Sequence, residues 1–200
     1  MIEGFRIEVI SLLKYTWPTV VMAVIIAVLL RVTDLIINKK KFVLHKELLM
    51  LFFIIYILCL FYVVTFQDVS WSSHNYIPFK EIFRYDFGSG LFYKNIFGNM
   101  LLFMPYGIFI ARYLKLKEPV VLIVIAFITS LSIEVIQFLI GRVFDVDDII
   151  LNVVGCVLGF AIYKVFEKWG SRLPNILKKN IVWDILAVLV LGGFIWFLIP

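Results

Sequence analysis

The fold of this chain is decided by the stretch Pro119–Ile140, which reads PVVLIVIAFITSLSIEVIQFLI. Its apolar character extends over about 20 positions, the length at which an α-helix crosses the hydrocarbon core of a bilayer. Glu134 is its only charged residue. Because a backbone inside lipid must satisfy its hydrogen bonds internally, the stretch predicts a transmembrane α-helix.

The remainder of the chain repeats this pattern. Hydrophobic residues make up 63% of the sequence and the mean hydropathy is +1.03, whereas soluble domains are roughly 45–50% apolar. Six spans are predicted in all: Trp17–Ile37, Glu47–Phe66, Asn95–Tyr113, Pro119–Ile140, Asp148–Phe166 and Ile181–Ile199. The predicted fold class is an all-α, polytopic transmembrane helical bundle of about six membrane helices with a four-helix core.

We divide the chain into three parts. Residues 1–46 are predicted to form a surface helix, at residues 2–15, followed by an additional membrane helix. Residues 47–166 form the membrane core that carries the motifs described below. Residues 167–200 are predicted to form a cytoplasmic connection and a C-terminal membrane helix.

The positive charges predict an orientation. The net charge is +5, and the Lys and Arg residues lie between the hydrophobic blocks. This placement indicates membrane topology and not a nucleic-acid partner. With the N-terminus outside, 13 Lys and Arg residues face the cytoplasm and 6 face the exterior, as the positive-inside rule requires. Both termini are therefore predicted to be extracytoplasmic.

Polar residues interrupt the third, fourth and fifth spans at helical spacing. Each set forms one stripe along its helix. The three stripes are Asn95, Asn99, Phe103 and Gly107; Ser130, Glu134 and Gln137; and Asp148, Asn152, Gly155 and Gly159. The predicted topology brings all three stripes to the same level, in the outer leaflet. Gly155 and Gly159 form a GxxxG pair, which predicts close approach of a neighbouring helix.

Glu134 is the strongest single candidate, because a carboxylate within a membrane helix costs roughly 2.5–3.5 kcal/mol and needs a partner or a proton. Arg142 is the predicted partner. Two interpretations remain open: an ion pair that only sets helix register, or a group that binds substrate or transfers protons. Pro105 predicts a kink in the third span that would widen a polar cavity.

The carboxylates that begin the fifth span also have two interpretations. Asp145, Asp147 and Asp148 favour the positive end of the helix dipole, but Asp145 and Asp148 are also weak candidates for a divalent cation site.

The long loop before the third span contains NYIPF at residues 75–79. Asn75 and Pro78 predict an extended or turn conformation that folds over the cavity as a lid. Lys80, Arg84 and Lys94 would give this lid a basic rim. A plain surface loop is the alternative, and His74 is interpreted as a solvated loop residue.

Together these motifs resemble the VanZ-like family of bacterial membrane proteins, which is associated with teicoplanin resistance. The stretches that carry the resemblance are NYIPF at 75–79, NIFGNMLLFMPYG at 95–107, SIEVIQ at 132–137 and GRVFDVDDIILNVVGCVLG at 141–159. The resemblance covers about residues 47–166. It implies a multi-pass protein of the bacterial plasma membrane with a possible effect on glycopeptide susceptibility, and it implies no settled reaction.

The primary hypothesis is a cavity in the outer leaflet that binds a lipid or a lipid-linked envelope amphiphile. Its predicted ligand-binding residues are Asn75, Asn99, Glu134, Gln137, Arg142, Asp145, Asp148 and Asn152, and its structural residues are Pro78, Pro105, Gly107, Gly155 and Gly159. The alternatives are an intramembrane enzyme with Glu134 or Asp148 as acid or base, a small transporter or flippase, and a scaffold. No recognisable catalytic motif is present, so a classical enzyme is not favoured. No cofactor is predicted, and the sequence leaves the oligomeric state open.

Overall fold

The structure is a computed structural model, and it describes residues 2–66, 74–172, 174, 177 and 179–198. Six main helices lie within these residues: α1 Ile2–Ile37, α2 Leu44–Phe66, α3 Gly90–Leu114, α4 Val120–Leu139, α5 Val146–Arg172 and α6 Asn180–Leu198. A 3-10 turn, Ile82–Arg84, precedes α3. The described residues contain no β-strand, only an isolated parallel bridge between Asn75 and Asp145. The predicted all-α transmembrane fold class is confirmed.

Five of the helices are long and apolar enough to cross a membrane. The corresponding segments are Lys14–Ile37, Leu44–Tyr62, Gly90–Leu114, Val120–Leu139 and Val146–Gly170. The chain is therefore a multi-pass membrane protein. The sixth predicted span coincides with α6, whose apolar segment Asn180–Gly193 is shorter, and Ile199 lies outside the described residues. A sixth crossing and the orientation of the termini stay predictions.

The first and third helices differ most from their predicted starts. Residues 2–15 are helical, but they are continuous with the first span, because α1 runs from Ile2 through Pro18 to Ile37. The third helix begins at Gly90 and not at Asn95, since the Ser89 hydroxyl accepts a hydrogen bond from the Phe92 N–H at 3.1 Å and caps the first turn.

The chain divides into two compact units. The terminal unit consists of residues 1–63 and 172–200, and the central unit consists of residues 64–171. The polar stripes all lie in the central unit. The predicted division at residues 46 and 166 rests on sequence features, whereas these two units rest on contacts in the structure. The three-part division stays a prediction.

Three glycines join α3 to α5 in the central unit. A Cβ atom added at Gly155 would lie 2.3 Å from the carbonyl oxygen of Met100, and one added at Gly107 would lie 2.2 Å from that of Cys156. A Cβ at Gly159 would likewise meet the carbonyl oxygen of Met104 at 2.2 Å. The close helix approach predicted from the GxxxG pair is therefore present. It fixes the start of α5 against the part of α3 that carries Asn99.

Candidate functional site

The candidate site is formed by polar side chains from α3, α4, α5 and the loop before α3. Those that are buried in the structure are Asn75, Ser130, Glu134, Gln137, Asp147 and Asn152. A buried polar group away from water requires hydrogen-bond partners. The partners divide the site into two parts, which we call the loop anchor and the membrane carboxyl pair.

The loop anchor consists of Asn75, Asp145 and Asp147. Asn75 is 2% exposed, and its backbone N–H donates to the carbonyl of Phe144 at 2.9 Å while its own carbonyl accepts from the N–H of Val146 at 3.1 Å. Its side-chain amide donates to the Asp145 carboxylate at 2.8 Å and to the Asp147 carboxylate at 3.4 Å. The loop is thereby attached to the N-terminal end of α5.

Asp147 completes the loop anchor. Asp147 is 1% exposed, and its carboxylate accepts backbone N–H groups from Phe79 at 2.5 Å, Glu81 at 2.7 Å and Ile82 at 3.2 Å. The loop turns at Phe79, whose φ of +67° lies in the left-handed region. Successive N–H groups in such a turn form a concave site for an anion, and here the anion is a side chain of the protein.

The membrane carboxyl pair consists of Glu134 on α4 and Asp148 on α5. Glu134 is 2% exposed and accepts the backbone N–H of Asp145 at 2.9 Å. Asp148 accepts from the side-chain amide of Asn99 at 2.5 Å. When both carboxyl groups are ionised they repel each other, and each is attracted to Arg142.

A neutral hydrogen bond lies one turn further along α5. The Asn152 side-chain amide donates to the hydroxyl of Ser130 at 2.9 Å, and both residues are buried. This bond links α5 to α4, just as the bond between Asn99 and Asp148 links α3 to α5. The three helices are therefore joined by polar contacts at the same end.

The environment of Asp145 is electrostatically unfavourable for a charge. Burial raises the pKa of its carboxyl above the ordinary value, and the amide of Asn75 and the N–H of Asp147 partly oppose this rise. The N–H of Asp147 donates to the Asp145 carboxylate at 2.9 Å. Asp145 thus connects the two parts of the site, since its backbone N–H also binds Glu134.

Arg142 does not continue the helix line of Glu134. α4 ends at Leu139, and Gly141 has a φ of +84°, which terminates the helix in the left-handed conformation. The N–H of Arg142 donates to the carbonyl of Gln137 at 2.9 Å as part of this ending. The attraction between Arg142 and Glu134 remains, but it acts from the connection between α4 and α5.

Asn95 does not share a regular α-helical register with Asn99. The residues Tyr93–Phe97 form a π-helical segment, whose turn is wider than that of an α-helix. That Asn95 belongs to the stripe of Asn99 stays a prediction. Pro105 lies inside the helix that follows, and the predicted kink there stays a prediction.

Of the residues predicted to form a basic rim on the lid, one is exposed and one is paired with a carboxylate. Lys80 is exposed, whereas the guanidinium of Arg84 pairs with Glu81 at 3.1 Å. The side chain of Lys94 lies outside the described residues. Pro78 precedes the left-handed residue Phe79 within the loop that the loop anchor fixes.

The sequence pattern places neither Asp147 nor His74 in the candidate site. Asp147 has the pattern of a residue that caps a helix, and the feature that distinguishes it, the three backbone N–H groups that it accepts, has no side-chain signature. His74 is exposed, but its Nδ1 accepts the N–H of Phe144 at 3.1 Å, so it also fixes the loop.

The described residues contain no group of three His, Cys, Asp or Glu side chains that could hold a metal ion. The weak metal candidates Asp145 and Asp148 therefore gain no third ligand from this part of the chain.

A family model described as VanZ/LLP1 matches residues 53–167, more than half of the chain. Comparisons with curated proteins and with solved structures find no match. The matched range includes both the loop anchor and the membrane carboxyl pair.

Proposed function

The chain belongs to the VanZ-like family, and from this premise we propose that it binds the head group of a lipid or lipid-linked envelope amphiphile at the membrane carboxyl pair. The binding residues we propose are Asn99, Glu134, Arg142, Asp148 and Asn152. By sequestering such a molecule, the protein would lower susceptibility to glycopeptides of the teicoplanin type.

One observation carries the proposal. Three candidate membrane helices contribute polar side chains to one end of the central unit, and the loop anchor attaches a loop to the same end. A carboxylate such as Glu134, which is 2% exposed, is costly within a membrane span and is by default a functional candidate. Apolar flanks with a few convergent polar groups are also the usual composition of a small-molecule site.

The mixed charge of the site favours a head group with both donors and acceptors. Glu134 and Asp148 accept hydrogen bonds from hydroxyl or ammonium groups, while Arg142 and the amides of Asn99 and Asn152 donate to carboxylate or phosphate oxygens. The acyl chain would lie against the apolar surfaces of the same helices. We assign Asn75, Asp145 and Asp147 to the positioning of the loop.

The test uses three single variants: Glu134→Gln, Arg142→Ala and Asn152→Ala. Each is expressed in a glycopeptide-susceptible bacterium and compared with matched exposed controls, Glu118→Gln and Arg172→Ala. We expect teicoplanin susceptibility to return to that of the strain without the protein in the three site variants, and to stay at the wild-type level in the controls. Membrane abundance and melting temperature of the purified variants must remain close to wild type.

A binding measurement separates the contribution of the head group from that of the acyl chain. Purified protein is titrated with an acylated glycopeptide and with the same glycopeptide lacking its acyl chain. Binding of the acylated form alone, lost in Glu134→Gln, supports the proposal. Wild-type protection against teicoplanin in all three variants, or equal binding of the two glycopeptides, would overturn the proposal.

A second candidate is intramembrane acid–base chemistry on an envelope lipid. It is favoured by the mutual repulsion of Glu134 and Asp148, because two interacting carboxyl groups share protons unequally and can serve as acid and base. The purified protein is incubated with labelled membrane lipids, and a product that Glu134→Gln and Asp148→Asn both abolish would establish this activity in place of simple binding.

A further inference from the structure

We propose that the terminal unit contains a binding site for one anionic phospholipid, with an acyl chain in the groove between α1 and α2 and the phosphate at Lys39 and Lys41. This site is independent of the proposed function, since all of its residues lie outside the central unit.

The groove has apolar walls. It offers about 180 Å³ of space, lined on the α1 side by Val28, Val32 and Leu35 and on the α2 side by Leu44, Leu48 and Leu51. Both helices are candidate membrane spans by length and composition, so hydrocarbon is the medium expected around the groove. An acyl chain is the occupant that matches these walls chemically.

The ion pairs at the groove neutralise one another. The guanidinium of Arg31, which lines the groove, binds the Glu47 carboxylate in bidentate fashion, with Nε at 2.7 Å and Nη2 at 2.9 Å. Its Nη1 binds Asp34 at 2.7 Å, and Lys40 binds the same Asp34 at 2.9 Å. Two bases thus face two acids, and no excess charge remains in this network.

The excess positive charge lies immediately beside this network. Lys39 and Lys41 flank Lys40 and are exposed, and neither forms an ion pair with any residue that the structure describes. Lys41 directly precedes Phe42, which lines the groove. A phosphate in the head-group layer complements these two charges, and basic residues at the end of membrane helices are an established means of selecting anionic lipids.

The occupant is therefore a phospholipid and not a free phosphate. Exposed lysines alone would attract any anion weakly, whereas the apolar groove beside them adds the burial of a chain. The combination selects a molecule with an anionic head group covalently joined to a hydrocarbon tail.

The test titrates the full-length protein in non-ionic detergent with phosphatidylglycerol and with phosphatidylcholine, and counts bound lipids by native mass spectrometry. The variant combines Lys39→Gly and Lys41→Gln. Glycine is chosen because Lys39 has a φ of +47°, which glycine adopts without strain. We expect this variant to lose about 30-fold in affinity for phosphatidylglycerol, as two near-surface charges predict, and to bind phosphatidylcholine as wild type does.

A matched control lies in the connection between α3 and α4. Lys115 is also left-handed, with a φ of +52°, and Lys117 is two positions further on, so Lys115→Gly with Lys117→Gln removes the same charges with the same backbone change. We expect no loss of phosphatidylglycerol affinity in this control. An equal loss there, or equal wild-type affinity for the two lipids, overturns the proposal.

The groove itself is tested by filling it. Val32→Trp places a large side chain in the groove and should lower affinity for both lipids, whereas Ile36→Trp, at a position 71% exposed and outside the groove, should not. Unchanged binding in Val32→Trp would show that the lysines bind the lipid without an acyl chain in the groove, and it would overturn the proposal.

Discussion

The loop anchor and the membrane carboxyl pair both withdraw carboxylates from water, but they satisfy them in different ways. Asp147 accepts three backbone N–H groups and the Asn75 amide. Its neighbour Asp148 accepts one side-chain amide, from Asn99, and is repelled by Asp145 and Asp147. Adjacent residues of one helix therefore have different hydrogen-bond partners.

The difference indicates different roles. Backbone N–H groups cannot leave the loop without unfolding it, so the loop anchor is a structural element whose carboxylate stabilises a fixed conformation. A side-chain amide can rotate and can exchange partners with a ligand. The membrane carboxyl pair is therefore the part of the site that can respond to a bound molecule or a proton.

The largest expected effect comes from Asp147→Asn, which removes the carboxylate at the centre of the loop anchor. The substituted amide would direct an NH₂ group at the N–H donors of the loop, and the lost charge-assisted bonds should destabilise the protein by about 3 kcal/mol. Melting temperature reports the loss. Tryptic cleavage after Lys80 and Arg84 should accelerate, because the loop would be released. Asp86→Asn is the control, since Asp86 is exposed in the same loop, and equal cleavage rates in wild type and Asp147→Asn would refute the anchoring role.

The next effect comes from Gly155→Ala, which disturbs the carboxyl pair and spares the loop anchor. The added methyl group would meet the carbonyl oxygen of Met100, next to Asn99, and should force α3 away from α5 at a cost of about 1–3 kcal/mol. We expect a lower melting temperature with unchanged protection of the loop from trypsin. Gly170→Ala is the matched control on α5, because no atom lies within 4 Å of the added Cβ. Equal melting temperatures for the two variants would contradict the close approach of α3 and α5.

Much of the fold is predictable from the sequence because hydropathy is a local property. Each apolar block needs about 20 residues to cross a bilayer, and five of the six predicted spans are helices that meet this requirement. The close approach of α5 to another helix also follows locally, from Gly155 and Gly159. That the approaching helix is α3 requires the tertiary structure.

The loop anchor is less predictable, because its bonds are long-range and involve the backbone. Asn75 and Asp145 are separated by 70 positions, and the N–H groups that bind Asp147 are present on every residue except proline. The π-helical segment at Tyr93–Phe97 likewise carries no side-chain signal. Polar residues in apolar spans indicate which residues meet, but they do not indicate which of them hold the loop.

A smaller effect is the difference in coupling free energy between the Asn99–Asp148 hydrogen bond and the neutral Asn152–Ser130 hydrogen bond. In a double-mutant cycle of Asn99→Ala and Asp148→Ala, we expect a coupling free energy of about 1 kcal/mol, within the range measured between membrane helices. The matched cycle uses Asn152→Ala and Ser130→Ala, whose hydrogen bond is neutral, and should give about 0.6 kcal/mol. Thermal or denaturant unfolding in detergent measures both. A larger coupling in the neutral cycle would contradict the role of charge in the Asn99–Asp148 contact.

The smallest effect concerns Asp145, which joins the two parts. Burial raises the pKa of its carboxyl in the folded protein, so the folded state holds this proton more tightly than the unfolded state. The contribution to stability is fully present below the unfolded pKa and is lost as pH rises through the folded pKa. Asp145→Asn removes this pH-dependent loss of stability, and the oxygen of the substituted side chain can still accept a hydrogen bond from the Asn75 amide.

Relative to wild type, the variant should therefore gain melting temperature as pH rises from the ordinary pKa of an aspartate to neutrality. Asp86→Asn should show no such relative gain. If the melting temperature of the wild type instead rises relative to that of the variant as pH rises, the hydrogen bonds from Asn75 and Asp147 have a larger effect on the pKa of Asp145 than burial has. Asp145 would then belong with the loop anchor in its energetics as well as its position, and the boundary between the two parts would lie between Asp145 and Glu134.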